Sequence, residues 1–143
     1  MVKSAGAAWR GLGSVPVLKG LVVDYAGVLT EPNAAELFAA IETLRERGVR
    51  TALLSNAAGG DGAKRRLAAF FDEFVFSGEV GVAKPTKEVY LLTADRLGLL
   101  ADDCVFVDDA RVNVAGAVTA GMVGVHHTSI AETLIELQAL FAD

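Results

Sequence analysis

Five short β-rich runs alternate with helical patterns, and this alternation constrains the chain more than any other feature. The runs are Leu21 to Asp24, Thr51 to Ser55, Glu73 to Phe76, Cys104 to Asp108, and Val123 to His127. Most are near-continuous apolar segments, as strands buried on both faces require. Strands separated by helices predict a parallel sheet covered on both sides, a three-layer α/β domain.

The helical segments carry their own punctuation. The first starts at Asn33, where Glu36 completes a capping-box spacing, and Leu37, Ile41 and Leu44 repeat on one face before Gly48. The second runs from near Asp61 to about Phe71, and the third from Thr86 to Leu97 with Gly98 as its stop. A fourth covers Arg111 to Ala120. The last opens with Ser129 and Glu132, again spaced as a capping box, ahead of Leu134, Leu137 and Leu140.

A chain of 143 residues supplies one core and too little material for a second sizeable domain. The expected organisation is a core over residues 18–143 preceded by a tail over 1–17, in which Trp9 packs over the domain or a neighbouring subunit or remains loosely docked. A formal charge of −5 argues against a nucleic-acid surface, which needs clustered Lys and Arg. The one basic run, Lys64-Arg65-Arg66, reads as a solvated helix face. Cys104 is a lone thiol inside an apolar run and reads as buried. No apolar stretch is long enough to span a bilayer, and the first twenty residues lack the pattern of a signal peptide, so the expected location is cytoplasmic.

Ligands of open parallel sheets gather beyond the carboxyl ends of the strands. Four such places are polar here: Asp24 through Thr30 after the first run, Ser55-Asn56 after the second, Lys84-Pro85 on the loop after the third, and Asp108-Asp109 at the fourth. Crowded together, Asp24, Asp108 and Asp109 would repel by about 4 kcal/mol per pair at 4 Å and an effective dielectric of 20. A cation and the Lys84 ammonium would compensate, and hard oxygen donors without a Cys or His cluster favour Mg²⁺ over Zn²⁺. Each residue also has an ordinary reading: a helix cap for Ser55-Asn56, a solvated lysine, a turn for Asp108-Asp109. His126 and His127 have no acidic partner at metal-ligand spacing and read as surface or half-buried strand-end histidines.

In order, these motifs resemble those of the haloacid-dehalogenase superfamily: a strand-end Asp, a strand-end Ser or Thr, a Lys, and an acidic pair. Receiver domains assemble similar groups, but there the acidic pair follows the first strand and the Lys comes last. The stretch from Phe74 to Gly124, with Gly78-Glu79-Val80-Gly81, Lys84-Pro85, Val89-Tyr90, Phe106-Val107-Asp108-Asp109 and Asn113, resembles the subgroup of small-molecule phosphatases and dehalogenases. The resemblance covers about Leu18 to His127. It implies a Rossmann-like sheet of strand order 3-2-1-4-5, with Asp24, Ser55 and Asp109 at one edge. It also implies Asp24 as nucleophile and metal ligand, with Asp109, the Ala26 carbonyl and Asp108 completing the metal site. Ser55 and the amide of Asn56 would hold phosphoryl oxygens, Lys84 would orient Asp24, and Asn113 would brace the acids.

Two positions depart from that pattern. Most phosphatases of the family place a second Asp two residues after the nucleophile, where this chain has Ala26. Its loss removes acid–base help worth roughly 10² to 10⁴ in rate. Relatives also insert a helical cap after the first motif, whereas Thr30-Glu31-Pro32 leads here straight into Asn33, so no cap domain is expected. Phosphonoacetaldehyde hydrolases and dehalogenases also lack the second Asp, but they draw on cap residues for their chemistry. The expectation is a Mg²⁺-dependent phosphatase acting on a phosphorylated small molecule or an exposed phosphate of a larger substrate, its site open unless another subunit of a homo-oligomer covers it. The competing expectation is a degenerate domain that keeps the pocket for binding or assembly.

Overall fold

The computed structural model describes residues 17–142. The expected tail therefore lies, apart from Val17, outside the described residues, and so does Trp9. Strands β1 (Gly20–Val23), β2 (Arg50–Ser55), β3 (Glu73–Phe76), β4 (Cys104–Asp108) and β5 (Val123–His126) form one parallel sheet in the order β3-β2-β1-β4-β5. That is the expected order, with each strand within a residue of its expected bounds. Around it lie α1 (Ala34–Glu46), α2 (Asp61–Leu67), α4 (Lys87–Arg96), α5 (Arg111–Thr119) and α6 (Ile130–Leu140), with a short α3 (Ser77–Val80) directly after β3.

The two-residue period of the strands divides the core. Leu21, Val23, Leu53, Val105, Val107, Val123 and Val125 face one side and pack with Leu37 and Ile41 of α1 and Ile130 and Leu137 of α6. Val22, Ala52, Leu54, Val75 and Phe106 face the other, against Val89, Tyr90 and Ala94 of α4 and Ala117 of α5. Each fully buried Leu, Ile or Val contributes roughly 1.5–3 kcal/mol, which is why a chain of this size closes on a single sheet. Cys104 is buried as expected, and burial pushes its thiol up to about 12.

Of the two expected capping boxes, only one has its cap. Ser129 is extended (φ −158°, ψ 159°), and its hydroxyl accepts from the Glu132 N–H at 3.1 Å. Asn33 sits at φ −101°, ψ 22° and its side chain caps nothing. The reason is local: the chain enters α1 through a turn in which the Ala34 N–H donates to the Glu31 carbonyl at 3.0 Å, so Asn33 lacks the extended backbone that a cap needs. Helix α2 stops at Leu67 rather than Phe71, because the following turn brings Phe70 against Phe38, with ring centroids 4.6 Å apart. Residues 24–33 form a compact connection from β1 to α1 with no inserted domain, as expected.

Candidate active site

Asp24 lies one residue beyond β1, and its N–H continues the ladder by donating to the Val107 carbonyl at 3.0 Å. The chain then turns sharply, with the N–H groups of Val28 and Leu29 both donating to the Tyr25 carbonyl. Gly27 makes this possible twice over. Its φ of +81° is open to glycine, and a Cβ there would stand 2.3 Å from an Asp109 carboxylate oxygen. The loop after β1 thus passes directly over the acid at the end of β4.

Lys84, readable from sequence alone as a solvated lysine, is only 6% exposed. Its Nζ donates to Asp24 Oδ1 at 2.8 Å and to Asp108 Oδ2 at 2.9 Å, and it lies 5.5 Å from the centre of the Phe106 ring. Its backbone is fixed by the side-chain amide of Asn56: Nδ2 donates to the Lys84 carbonyl and Oδ1 accepts the Lys84 N–H, both at 3.0 Å. The Asn56 side chain therefore couples the second motif to the third, a role its position in the sequence did not disclose. Gly116 of α5 permits the close packing that completes this corner, since a Cβ would meet the Pro85 carbonyl at 2.6 Å.

Asp108 is fully buried, and three donors surround its carboxylate: Lys84 Nζ, Asn113 Nδ2 at 3.1 Å, and the Ala110 N–H at 2.9 Å. Asn113 thus braces the first acid of the pair, Asp108. It is held in turn by Tyr90, whose hydroxyl donates to the Asn113 carbonyl at 2.6 Å. Tyr90 also packs edge-on to Phe106, and burial and the nearby Asp108 and Asp24 raise its pKa above the ordinary phenol value. Its place in the Val89-Tyr90 pair was the only sequence signal of that function.

The carboxylates of Asp24, Asp108 and Asp109 each bring an oxygen within 4.8 Å of the other two. Burial, partly offset by Lys84 and reinforced by the charge of Asp108, lifts the Asp24 pKa from 3.8 to about 6. Asp109 is exposed, and its pKa is raised as well, by partial desolvation and then by its contact with Asp108. One ammonium does not balance three carboxylates, and the donors are all hard oxygens with no imidazole or thiolate among them. The set fits a hard divalent cation.

Ser55 ends β2 and is 7% exposed, at the same edge. His126 is half-buried, as expected, and His127 differs from expectation. His126 Nε2 contacts the Asp109 carbonyl at 3.0 Å, but His127 is buried and does have an acidic partner. Its Nε2 lies 2.9 Å from Glu31 Oε1 and its Nδ1 2.6 Å from Thr133 Oγ1. The spacing rule missed the contact because Glu31 is 96 residues away in sequence and arrives through the turn before α1. Lys64 is likewise not merely solvated, pairing with Glu79 at 2.9 Å.

A family model described as haloacid dehalogenase-like hydrolase matches residues 1–121. The chain belongs to that family. Among solved structures, an uncharacterized protein from Corynebacterium glutamicum is 39% identical with a TM-score of 0.81, covering 87% of this chain and 95% of its own. The Cupriavidus necator protein CbbY is 33% identical over 78% of this chain and 41% of its own length. The sesquiterpene phosphatase astK of Aspergillus oryzae is 30% identical over 74% of this chain and 56% of its own length. This haloacid dehalogenase-like chain thus spans about half the length of those two curated relatives. No helix among its described residues is long and apolar enough to cross a membrane.

Proposed function

We propose that the chain is a magnesium-dependent phosphatase in which Asp24 takes a phosphoryl group from an ester or anhydride and passes it to water. The observation that carries this reading is the setting of Asp24: a buried carboxylate at the carboxyl edge of the sheet, one oxygen bonded to Lys84, with Asp108 and Asp109 drawn up beside it. Asp24, Asp109 and the Ala26 carbonyl would hold the ion, which when bound supplies positive charge to the nucleophile and the phosphoryl group. Asp108, its oxygens already accepting from three donors, assists by fixing Lys84 and Asn113.

In the first half-reaction an Asp24 oxygen forms a bond to phosphorus and the bond to the leaving oxygen breaks, the electron pair departing with that oxygen. In the second, a water oxygen attacks phosphorus and the bond to Asp24 breaks, regenerating the carboxylate and releasing phosphate. Lys84 holds Asp24 in line, while the Ser55 hydroxyl and the Asn56 backbone N–H bind phosphoryl oxygens. Ala26 supplies no proton, so the leaving oxygen must depart unprotonated or take its proton from solvent. With no inserted domain over residues 24–33, the site admits that solvent and accepts either a small phosphorylated molecule or a phosphate on a larger one. The family and the phosphatase among the relatives support the same reading.

The expected result is turnover of acyl and aryl phosphates with Mg²⁺, and much slower turnover of alkyl phosphates. Asp24→Asn should abolish both, and Ala26→Asp should bring alkyl substrates closer to aryl ones by about 10²-fold. Activity that survives Asp24→Asn undiminished would show that the turnover belongs to another site.

A further inference from the structure

We infer that a cavity beside Ser55 selects phosphate esters whose leaving group is a small apolar ring bearing a second anionic group. The inference rests on the phosphatase reading for its catalytic consequence, but its binding component stands on the cavity itself. The cavity, about 170 Å³, lies between the loop after β1, the ends of β2 and β3, and α2. Tyr25, the residue directly after the nucleophile, forms one wall, and Leu53, Leu67 and Phe76 supply apolar surface. Ser55 lines the cavity as well, so a phosphoryl group held there would direct its leaving group toward these walls.

Size and charge narrow the occupant. A cavity of about 150 Å³ accommodates a benzene ring, so this one takes a single ring or a branched chain of similar bulk and nothing much larger. Arg66 also lines it. Within the basic run Lys64-Arg65-Arg66, Lys64 is committed to Glu79, whereas Arg66 makes no salt bridge among the described residues. A guanidinium with no protein counter-charge, set at the margin of an apolar cavity in a chain of net charge −5, is suited to a carboxylate or a second phosphate on the ligand.

The probes are 4-carboxyphenyl phosphate and its neutral isostere, 4-carbamoylphenyl phosphate, assayed with Mg²⁺ on the wild type, Arg66→Ala and Arg66→Glu. The wild type should favour the carboxylate by about three- to tenfold in kcat/KM, within the range of a partly exposed charge-assisted contact. Arg66→Ala should bring the ratio of the two substrates to near one, and Arg66→Glu should reverse it. A wild type that does not favour the carboxylate, or a preference that persists in Arg66→Ala, overturns the inference. If neither ester is turned over, the phosphatase reading fails separately, and calorimetric affinities of the same two esters carry the comparison. Equal affinities in the wild type would then overturn the cavity assignment, and a carboxylate preference lost in Arg66→Ala would uphold it.

Discussion

On the Lys84 side of the acidic cluster every charged group is buried and paired, whereas on the loop side Asp109 faces solvent beneath a glycine turn. Lys84 exposes 2% of its side chain and Asp108 none, and Asn56, Asn113 and Tyr90 fix them from three different elements. Asp109 is exposed, Ala26 offers no side-chain donor, and the connection over residues 24–33 carries no further domain. The contrast separates two requirements. On the proposed function, the ammonium that would orient Asp24 has to be immobile before substrate arrives, while the face that would take metal and phosphate has to stay open to exchange.

Removing the cation should have the largest effect on stability. Lys84→Met would leave Asp24 and Asp108 buried without their partner, at a cost of about 3–5 kcal/mol in Mg²⁺-free urea denaturation at pH 7.5. The pH dependence has a definite sign. Asp24 has a pKa of about 6 in the fold against 3.8 ordinarily, so between those values the folded chain holds a proton that the unfolded chain has lost. Its contribution to apo stability is therefore full below pH 4 and is lost as pH rises through 6. The Lys84→Met deficit should shrink at pH 5, where Asp24 is largely protonated. A deficit below about 1 kcal/mol, or one identical at both pH values, would mean that the buried side of the cluster is not held by charge balance.

The strands were legible as near-continuous apolar runs alternating with helical patterns, and the strand order and the edge on which the motifs meet followed from the family that the order of the strand-end motifs resembles. What was not legible came through tertiary contacts. Asn56 looked like a phosphate ligand through its amide, and only the fold shows its side chain bonded to the Lys84 backbone. His127 looked partnerless because its acid arrives from the far end of the sequence. Asn33 matched a capping box by spacing, but the turn after Pro32 denies it the required backbone. Spacing reports which groups are near along the chain; Asn56 and His127 depended on groups brought near by the fold, and Asn33 on the backbone of its own turn.

On the open side the sign of the substitution should reverse. Asp109→Asn removes a carboxylate that, though exposed, has its pKa raised by partial desolvation and by its contact with Asp108, so without Mg²⁺ the variant should melt slightly above the wild type. Mg²⁺ at about 100 times its Kd should stabilise the wild type by about 2.7 kcal/mol, a rise of several degrees in Tm, and Asp109→Asn should lose most of that rise. Calorimetric scans with and without the ion check both statements. An Mg²⁺ response retained in full by the variant would remove Asp109 from the metal site.

The smallest expected effect concerns the one point where the open side is built like the buried one. Glu31, at the end of the loop that begins with Asp24, reaches buried His127, whose other nitrogen meets Thr133 of α6. With the proton on Nε2, the ring donates to Glu31 and Nδ1 accepts from the Thr133 hydroxyl, which satisfies every group in the chain of contacts. The Glu31 side chain is 31% exposed, so its negative charge matters less than its acceptor oxygen. Glu31→Gln keeps an oxygen in place and should cost only about 0.5 kcal/mol. Glu31→Ala strands a buried N–H and should cost about 1–2 kcal/mol in urea denaturation. Because the same loop carries Asp24 and Ala26, Glu31→Ala should also weaken the Mg²⁺-induced rise in Tm, while Glu31→Gln should leave it intact. Equal losses for the two variants would point to charge rather than hydrogen bonding as the tie. A full Mg²⁺ response in Glu31→Ala would show that the loop holds its geometry without being fastened to His127.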